Sequence, residues 1–219
     1  MKYETTWLAL GTIAMGAIGF MADQQGFKEQ PGWISVLAIL LLAFPAFWAF
    51  VKHLGYKKGL LVLGCLSIFA ILIESIGVAT GFPYGEFFYS ADLGWRVFGL
   101  VPWTVPFAWV PLLIGAAALS SVFVKRAIPR IFLTAIILVM MDLVLDPAAV
   151  YAGLWSYPDG GWYFGVPWTN FAGWFFSGII GASILFWFDA DELPRLGMMS
   201  SAVLMLAFWS GLLLSAGLT

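Results

Sequence analysis

Charged residues are so sparse in this sequence that seven long apolar intervals separate them, and this spacing limits the possible folds more than any other feature. An α-helix needs about 20 apolar residues to cross the hydrocarbon core of a bilayer. The intervals predict spans at residues 6–22, 33–51, 59–79, 103–124, 128–146, 168–188 and 197–217. We therefore predict an all-α polytopic membrane helix bundle that forms a single integral membrane domain over residues 1–219.

The composition excludes most soluble functions. Only 10% of the residues are charged, against about 25% in an average soluble domain, and the mean hydropathy is +0.96. The net charge of -2 leaves no basic cluster for nucleic acid. One cysteine, Cys65, and one histidine, His53, cannot form a tetrahedral zinc site or an iron-sulfur site. We therefore expect no metal and no nucleic-acid partner.

Lysine and arginine are distributed unequally between the two sides of the predicted bundle. One side carries eight of them and the other carries two. The larger group is Lys2, Lys52, Lys57, Lys58, Lys125, Arg126, Arg130 and Arg195, and the smaller group is Lys28 and Arg96. Basic loops resist translocation, so this asymmetry predicts that the N-terminus is cytoplasmic. We expect the protein to lie in the cell membrane.

Two connections on the opposite, outer side are long and aromatic. They cover residues 80–102 and 147–167 and are rich in Gly, Pro, Trp, Tyr and Phe. Irregular backbone at membrane depth is tolerated where it is buried in protein or lines a cavity, which favours a functional site here. An aromatic belt at the lipid headgroups is the alternative explanation.

A short motif occurs twice and predicts an internal repeat. Residues 98–104 (FGLVPWT) resemble residues 164–169 (FGVPWT), and both copies precede an inward-running span. The shared orientation predicts a parallel repeat of residues 59–124 and 128–188, an arrangement that places shared sites at the repeat interface. Chance similarity in a Trp-rich chain is the alternative.

Three acids within the predicted spans are the strongest functional signal. Glu74 lies late in the third span, while Asp142 and Asp146 lie at i and i+4 on one face of the fifth. Pro147 predicts that this helix ends at Asp146. Burial, the helix dipole and mutual repulsion then all favour the protonated form of these two aspartates, which can donate a proton. A structural role in hydrogen bonding between helices is the alternative.

Further polar and aromatic residues are candidates for contacting a substrate. Glu86 could border a cavity or be solvated at the interface, and Asn170 could bind water or a substrate hydroxyl or cap a helix. An aromatic wall that stabilises a carbocation could include Trp103, Trp168, Trp155, Phe87 and Tyr89, although such residues also anchor proteins at the membrane surface.

The sequence contains no Gly-rich phosphate loop, no Ser-His-Asp arrangement and no nucleotide fingerprint. What remains is cofactor-independent acid chemistry on a lipid-soluble molecule. A protonated carboxyl can add a proton to an electron-rich alkene, aromatic faces can stabilise the cation, and a second carboxylate can orient water.

Four motifs together resemble the membrane-integral carotenoid hydratases of the CruF type, a family of carotenoid biosynthesis proteins. They are Glu74-x-x-Gly77, residues 81–89 (GFPYGEFFY), Asp142-x-x-x-Asp146-Pro147 and residues 163–174 (YFGVPWTNFAGW), so the resemblance covers about residues 59–188. It implies addition of water to the terminal double bond of an acyclic carotenoid, giving a tertiary alcohol without a cofactor. It also places Glu74, Glu86, Asp142, Asp146 and Asn170 on motif positions.

The residues and the resemblance agree on a hydratase, a hydro-lyase that acts on an acyclic carotenoid within membrane lipid. We predict Asp142 or Asp146 as the general acid, with the other Asp or Glu74 as the base that orients water. A membrane carotenoid cyclase would use the same protonation, and a proton-coupled transporter or lipid-binding protein could use the acids as a relay.

Overall fold

The computed structural model describes residues 2–26, 32–188 and 195–217. In these residues it contains seven long helices, each apolar enough to cross a membrane. They are α1 (Lys2–Gln24), α2 (Gly32–Leu54), α3 (Tyr56–Thr80), α4 (Val105–Phe123), α5 (Ala127–Tyr151), α6 (Trp168–Trp187) and α7 (Arg195–Ser215). The predicted all-α polytopic bundle is confirmed, and the chain is an integral membrane protein.

Helix α4 lies at the centre of the bundle, and most of its residues are buried. It packs against α2, α3, α5 and α7, whereas α1 packs mainly on α7. Glycines allow that second contact, because a methyl group at Gly19 of α1 would collide with the Phe208 carbonyl oxygen, and one at Gly211 of α7 would collide with the Gly16 carbonyl oxygen. The hydrophobic core around α4 also includes Tyr84 and Phe87 of the first long connection and Tyr157 of the second.

The two long connections are joined by a short antiparallel pair of strands. Strand β1 (Phe88–Tyr89) pairs with β4 (Trp155–Ser156), so that Tyr89 lies opposite Trp155. Strands β2 (Arg96–Val97) and β3 (Val101–Pro102) form a separate hairpin within the first connection. The pairing of β1 with β4 brings residues from both connections over the same end of the bundle.

The duplicated motif adopts the same turn in both copies. Phe98 and Phe164 have positive φ angles of 54° and 49°, and each is followed by a glycine with positive φ. Each turn closes with a 2.9 Å hydrogen bond from the residue after the glycine to the residue before the phenylalanine. Positive φ is uncommon for phenylalanine, so the matching turns favour a parallel repeat, which stays a prediction.

The predicted end of the fifth span at Asp146 is wrong. Helix α5 continues through Pro147 to Tyr151. Proline lacks an N–H group, which leaves the carbonyl of Leu143 without its helical partner. The hydroxyl of Tyr163 donates to that carbonyl at 3.2 Å. Because this bond replaces the missing one, the helix continues, and Asp146 lies more than one turn before its end, where the dipole acts less strongly than predicted.

We expect Tyr163→Phe to lower the free energy of unfolding by about 1 kcal/mol, because the Leu143 carbonyl then loses its partner. Thermal unfolding in detergent, followed by circular dichroism, measures the change. Tyr56→Phe is the matched control, since Tyr56 is 74% exposed. Equal midpoints for both variants would contradict this role of Tyr163.

Candidate active site

The three acids predicted from the sequence come together inside the bundle. Glu74 of α3 is 5% exposed, Asp142 of α5 is 0% exposed and Asp146 of α5 is 2% exposed. Asn170 of α6 is buried beside the two aspartates. None of the three acids faces lipid, as expected for carboxyl groups within a membrane.

Asn170 links the two aspartates. Its side-chain Nδ2 donates to Oδ2 of Asp142 at 2.9 Å and also donates to Oδ2 of Asp146. Pro167 occupies the N-cap position of α6, so the amide of Asn170 binds the acids and does not cap the helix. One amide thus fixes both carboxyl groups, which lie on successive turns of α5.

Two tyrosines from the long connections complete the hydrogen bonding. Tyr157 Oη donates to Asp146 Oδ2 at 3.0 Å, and Tyr89 Oη donates to Glu74 Oε2 at 2.8 Å. Burial, followed by the charge of Asp146, raises the pKa of Tyr157 far above its usual range. Burial and then the charge of Glu74 similarly raise the pKa of Tyr89. Both phenols therefore stay protonated and serve as donors.

A cavity of about 90 Å³ lies against these groups. Glu74, Asp146 and Asn170 are on its wall, whereas Asp142 is not and lies behind Asn170. Most of the remaining wall around the acids is aromatic. It includes Tyr84, Phe87, Trp109, Trp155 and Trp174 together with the two hydrogen-bonded tyrosines. The site thus combines two acids on the cavity wall with an aromatic, largely apolar enclosure.

Two buried donors on the cavity wall have no hydrogen-bond partner among the described residues. They are Tyr84 Oη and Trp109 Nε1. Leaving a buried polar group unpaired costs about 1–3 kcal/mol, so these atoms are suited to bind a water molecule or a polar part of a ligand. Burial and the neighbouring charge of Glu74 raise the pKa of Tyr84, which keeps its hydroxyl a donor.

Two glycines from the sequence motifs make room for Tyr84. A methyl group at Gly77 of α3 would lie 2.7 Å from Cδ2 of the Tyr84 ring. A methyl group at Gly173 of α6 would collide with the opposite edge of the same ring. The glycines in Glu74-x-x-Gly77 and at 173 therefore allow this ring to lie between α3 and α6, beside the acids.

The structure brings some of the predicted substrate-contacting residues to the cavity and leaves others outside it. Phe87, Tyr89, Trp155 and Asn170 are on the wall. Trp103 stacks on Trp95, with ring centroids 6.3 Å apart, Trp168 is 65% exposed, and Glu86 is exposed; none of these three lines the cavity. The exposure of Trp168 is typical of residues that anchor a protein at the membrane surface, whereas Trp103 packs against Trp95 and Phe107.

Four aromatic wall residues beside the acids were not assigned to the site from the sequence: Tyr84, Trp109, Tyr157 and Trp174. The repeat contains a signal for two of them, because Trp109 and Trp174 each follow the threonine of a VPWT motif by five residues. Their rings lie 6.5 Å apart, between centroids, on the cavity wall. Tyr84 lies within the motif at residues 81–89, whereas Tyr157 had no distinguishing signal beyond its position in the second aromatic connection.

The described part of the chain has no group of three His, Cys, Asp or Glu side chains arranged to hold a metal ion. The polar part of the cavity wall around the acids consists instead of two carboxyl groups surrounded by neutral donors. This arrangement can deliver a proton, stabilise the resulting carboxylate and bind a polar reactant beside an apolar one.

Comparison with known proteins gives the family. The family model described as "Carotenoid biosynthesis protein" matches residues 33–219, which extends the resemblance seen in the sequence to α2 and α7. A bisanhydrobacterioruberin hydratase from Haloarcula japonica is 35% identical over 195 residues, which cover 83% of this chain and 64% of that protein. The chain thus spans less than two thirds of this relative's length. No solved structure matches. From the family match over most of its length, the chain belongs to the carotenoid biosynthesis protein family.

Proposed function

We propose that this protein hydrates the terminal double bond of an acyclic carotenoid end group and yields a tertiary alcohol without a cofactor. The observation that carries the proposal is the pair of buried acids, Glu74 and Asp146, on the wall of an aromatic cavity. The hydratase name of the Haloarcula japonica relative supports the same reaction class.

Protonation of the alkene is the first step, and Asp146 is the better placed of the two aspartates. It is on the cavity wall, whereas Asp142 reaches the cavity only through Asn170. The Asp146 carboxyl adds its proton to the less substituted alkene carbon, which leaves a tertiary carbocation. Tyr157 and Asn170 already donate to Oδ2 of Asp146, and these bonds strengthen as the carboxylate charge develops.

Capture of the cation by water is the second step. The carboxylate of Glu74, held by Tyr89, accepts a proton from water while the water oxygen bonds to the cationic carbon. Tyr84 Oη and Trp109 Nε1 are free to donate to that water and orient it. The net reaction adds one water molecule, and transfer of the proton from Glu74 back to Asp146 restores the site.

The aromatic wall stabilises the cation between these two steps. The aromatic side chains of Phe87, Trp155 and Trp174 line the same cavity as the acids. A desolvated cation-π contact contributes up to about 2 kcal/mol. Because the cation forms only after protonation, this attraction lowers the barrier more than it stabilises the bound alkene.

The same protonation could start a cyclisation, in which a neighbouring alkene captures the cation. A base such as Glu74 would serve either reaction, because a cyclised cation must also lose a proton. The feature that favours hydration in this protein is the pair of unpaired donors on the cavity wall, Tyr84 Oη and Trp109 Nε1, which suit a water molecule and are not needed for capture by an alkene.

Expression in a bacterial host that accumulates lycopene, followed by chromatography and mass analysis of the pigments, tests the proposal. We expect a more polar product that is heavier by one water and retains its chromophore. An isomeric product with a shifted spectrum would contradict hydration and indicate a cyclase. Unaltered pigment across a panel of acyclic carotenoids, with proton-coupled flux in liposomes, would indicate a transporter.

The proposal includes the cell membrane and a cytoplasmic N-terminus. Lys52, Lys57, Lys58, Lys125 and Arg126 lie at the ends of α2 to α5 away from the long connections, and basic residues favour the cytoplasmic side. Lys28, from the smaller basic group, is outside the described residues. Labelling in intact cells of cysteines placed one at a time at Ser156 and at Lys57, in a Cys65→Ser background, checks the orientation: only the first should react with a membrane-impermeant reagent.

A further inference from the structure

The cavity extends away from the acids into an apolar lobe between α2, α4 and α7. The side chains that form this lobe are Ile39 and Leu42 of α2, Leu112 of α4, and Met205 and Trp209 of α7. Their contacts connect to the site, because Ile39 and Trp209 pack in one cluster with Tyr89 and Trp155. The lobe and the acid site therefore form one continuous space.

Small residues explain where the lobe ends. On the side away from the long connections, Ser201 Oγ of α7 accepts from Ala46 N at 3.0 Å and donates to the Ala43 carbonyl oxygen at 3.3 Å. At the same level, a methyl group at Gly115 of α4 would lie 2.7 Å from Cβ of Ala202. These close contacts bring α7 against both α2 and α4 and form the floor of the lobe.

Farther along α7, one and two turns toward the long connections, the inward positions carry Met205 and Trp209. These larger side chains lie where the three helices leave space between them. The lobe therefore opens above the small-residue floor, on the same side of the bundle as the acids.

The lobe reaches deeper into the bundle than the acids do. Met205 lies ten residues before Ser215, the last residue of α7, or about 15 Å along the helix at 1.5 Å per residue. Asp146 lies five residues before Tyr151, the last residue of α5, or about 8 Å. Since the hydrocarbon core is about 30 Å thick, Met205 lies near the middle of the membrane, and the floor at Ser201 lies one turn beyond it.

We propose that this lobe binds the conjugated chain that adjoins the reacting end group, an inference that rests on the proposed function. Its wall carries no ionisable side chain, so it is suited to a long apolar chain and not to a polar head. With the end group at Asp146, the adjoining chain would pass Trp209 toward Met205. The protein then selects its substrate by the chain as well as by the end group.

Two substitutions, Leu42→Trp and Met205→Trp, fill the lobe at a distance from the acids. The matched control is Leu41→Trp, because Leu41 occupies the adjacent position of α2 and is 63% exposed. Pigment retained per protein after purification from the lycopene-accumulating host measures binding without requiring turnover. Hydration is measured with lycopene and with a short acyclic terpene that has the same terminal group. We expect both lobe variants to reduce pigment retention and kcat/KM for lycopene by about tenfold or more, while hydration of the short terpene stays within about twofold.

Unchanged pigment retention in both lobe variants would overturn the inference, and so would an equal loss of hydration on the long and the short substrate. Gel filtration and thermal unfolding against the Leu41→Trp control verify folding, and Ile39→Trp fills the same lobe if one variant misfolds. Wild-type protein that retains pigment but hydrates neither substrate would refute the proposed function. In that case the retention of the variants would still decide whether the lobe holds the chain.

Discussion

Replacing Asp146 by Asn is expected to lower kcat for carotenoid hydration by about 10²–10⁴-fold, the usual contribution of a general acid. The amide has the size of the carboxyl group and its oxygen can still accept from Tyr157, so we expect the variant to fold and to bind pigment. Because the amide cannot transfer a proton to an alkene, the protonation step is lost. Quantification of hydrated carotenoid per protein, beside pigment retention, measures the effect.

Asp159→Asn is the matched control, since Asp159 lies in the same connection as Tyr157 but is exposed. Its activity should equal that of the wild type. Asp142→Asn distinguishes the roles of the two aspartates, because Asp142 lies behind Asn170 and is not on the cavity wall. A loss smaller than that of Asp146→Asn supports Asp146 as the donor and Asp142 as a positioning residue. Full activity in both Asn variants would refute the proposed acid.

Replacing Glu74 by Gln is expected to change the fate of the carbocation while leaving its formation intact. Tyr89 can still donate to the amide oxygen at this position, so the local packing is retained. Without a base to take the proton from water, we expect formation of the alcohol to fall by about 100-fold. The cation then returns to an alkene by losing a proton, either to the starting carotenoid or to an isomer of equal mass.

Deuterium exchange distinguishes the two acids in this mechanism. In D₂O, Glu74→Gln should still introduce deuterium at the end group of the recovered carotenoid, whereas Asp146→Asn should introduce none. Mass spectrometry of the recovered pigment measures both. If Glu74→Gln abolished exchange together with hydration, Glu74 would be required for protonation and the assigned roles would be wrong.

The comparison of Trp103 with Trp109 shows how far the sequence could predict the site. Both tryptophans lie near the start of α4, but Trp103 precedes the helix and stacks on Trp95, while Trp109 shares the helix face that lines the cavity. The aromatic composition indicated that a wall existed. It could not show which rings form that wall, because this depends on how α4 is rotated toward its neighbours.

For the two aspartates and Pro147 as well, the sequence predicted the local geometry but not the tertiary contacts. The i, i+4 spacing correctly placed Asp142 and Asp146 on one helix face, since this follows from helix geometry alone. The spacing could not show that only Asp146 borders the cavity. It also could not show that α5 continues past Pro147, because the compensating donor is the hydroxyl of Tyr163, which follows Leu143 by twenty residues.

By itself the sequence determined the number and approximate position of the membrane spans, the family resemblance and the candidate acids. Apolar length and charge spacing are properties of each segment and need no partner, because each helix satisfies its own backbone in lipid. Only the tertiary structure decided which polar groups meet. Glu74 with Tyr89, Asp146 with Tyr157 and Asn170 with both aspartates are pairs between separate segments, and contacts of this kind arise only when the helices and the two connections pack together.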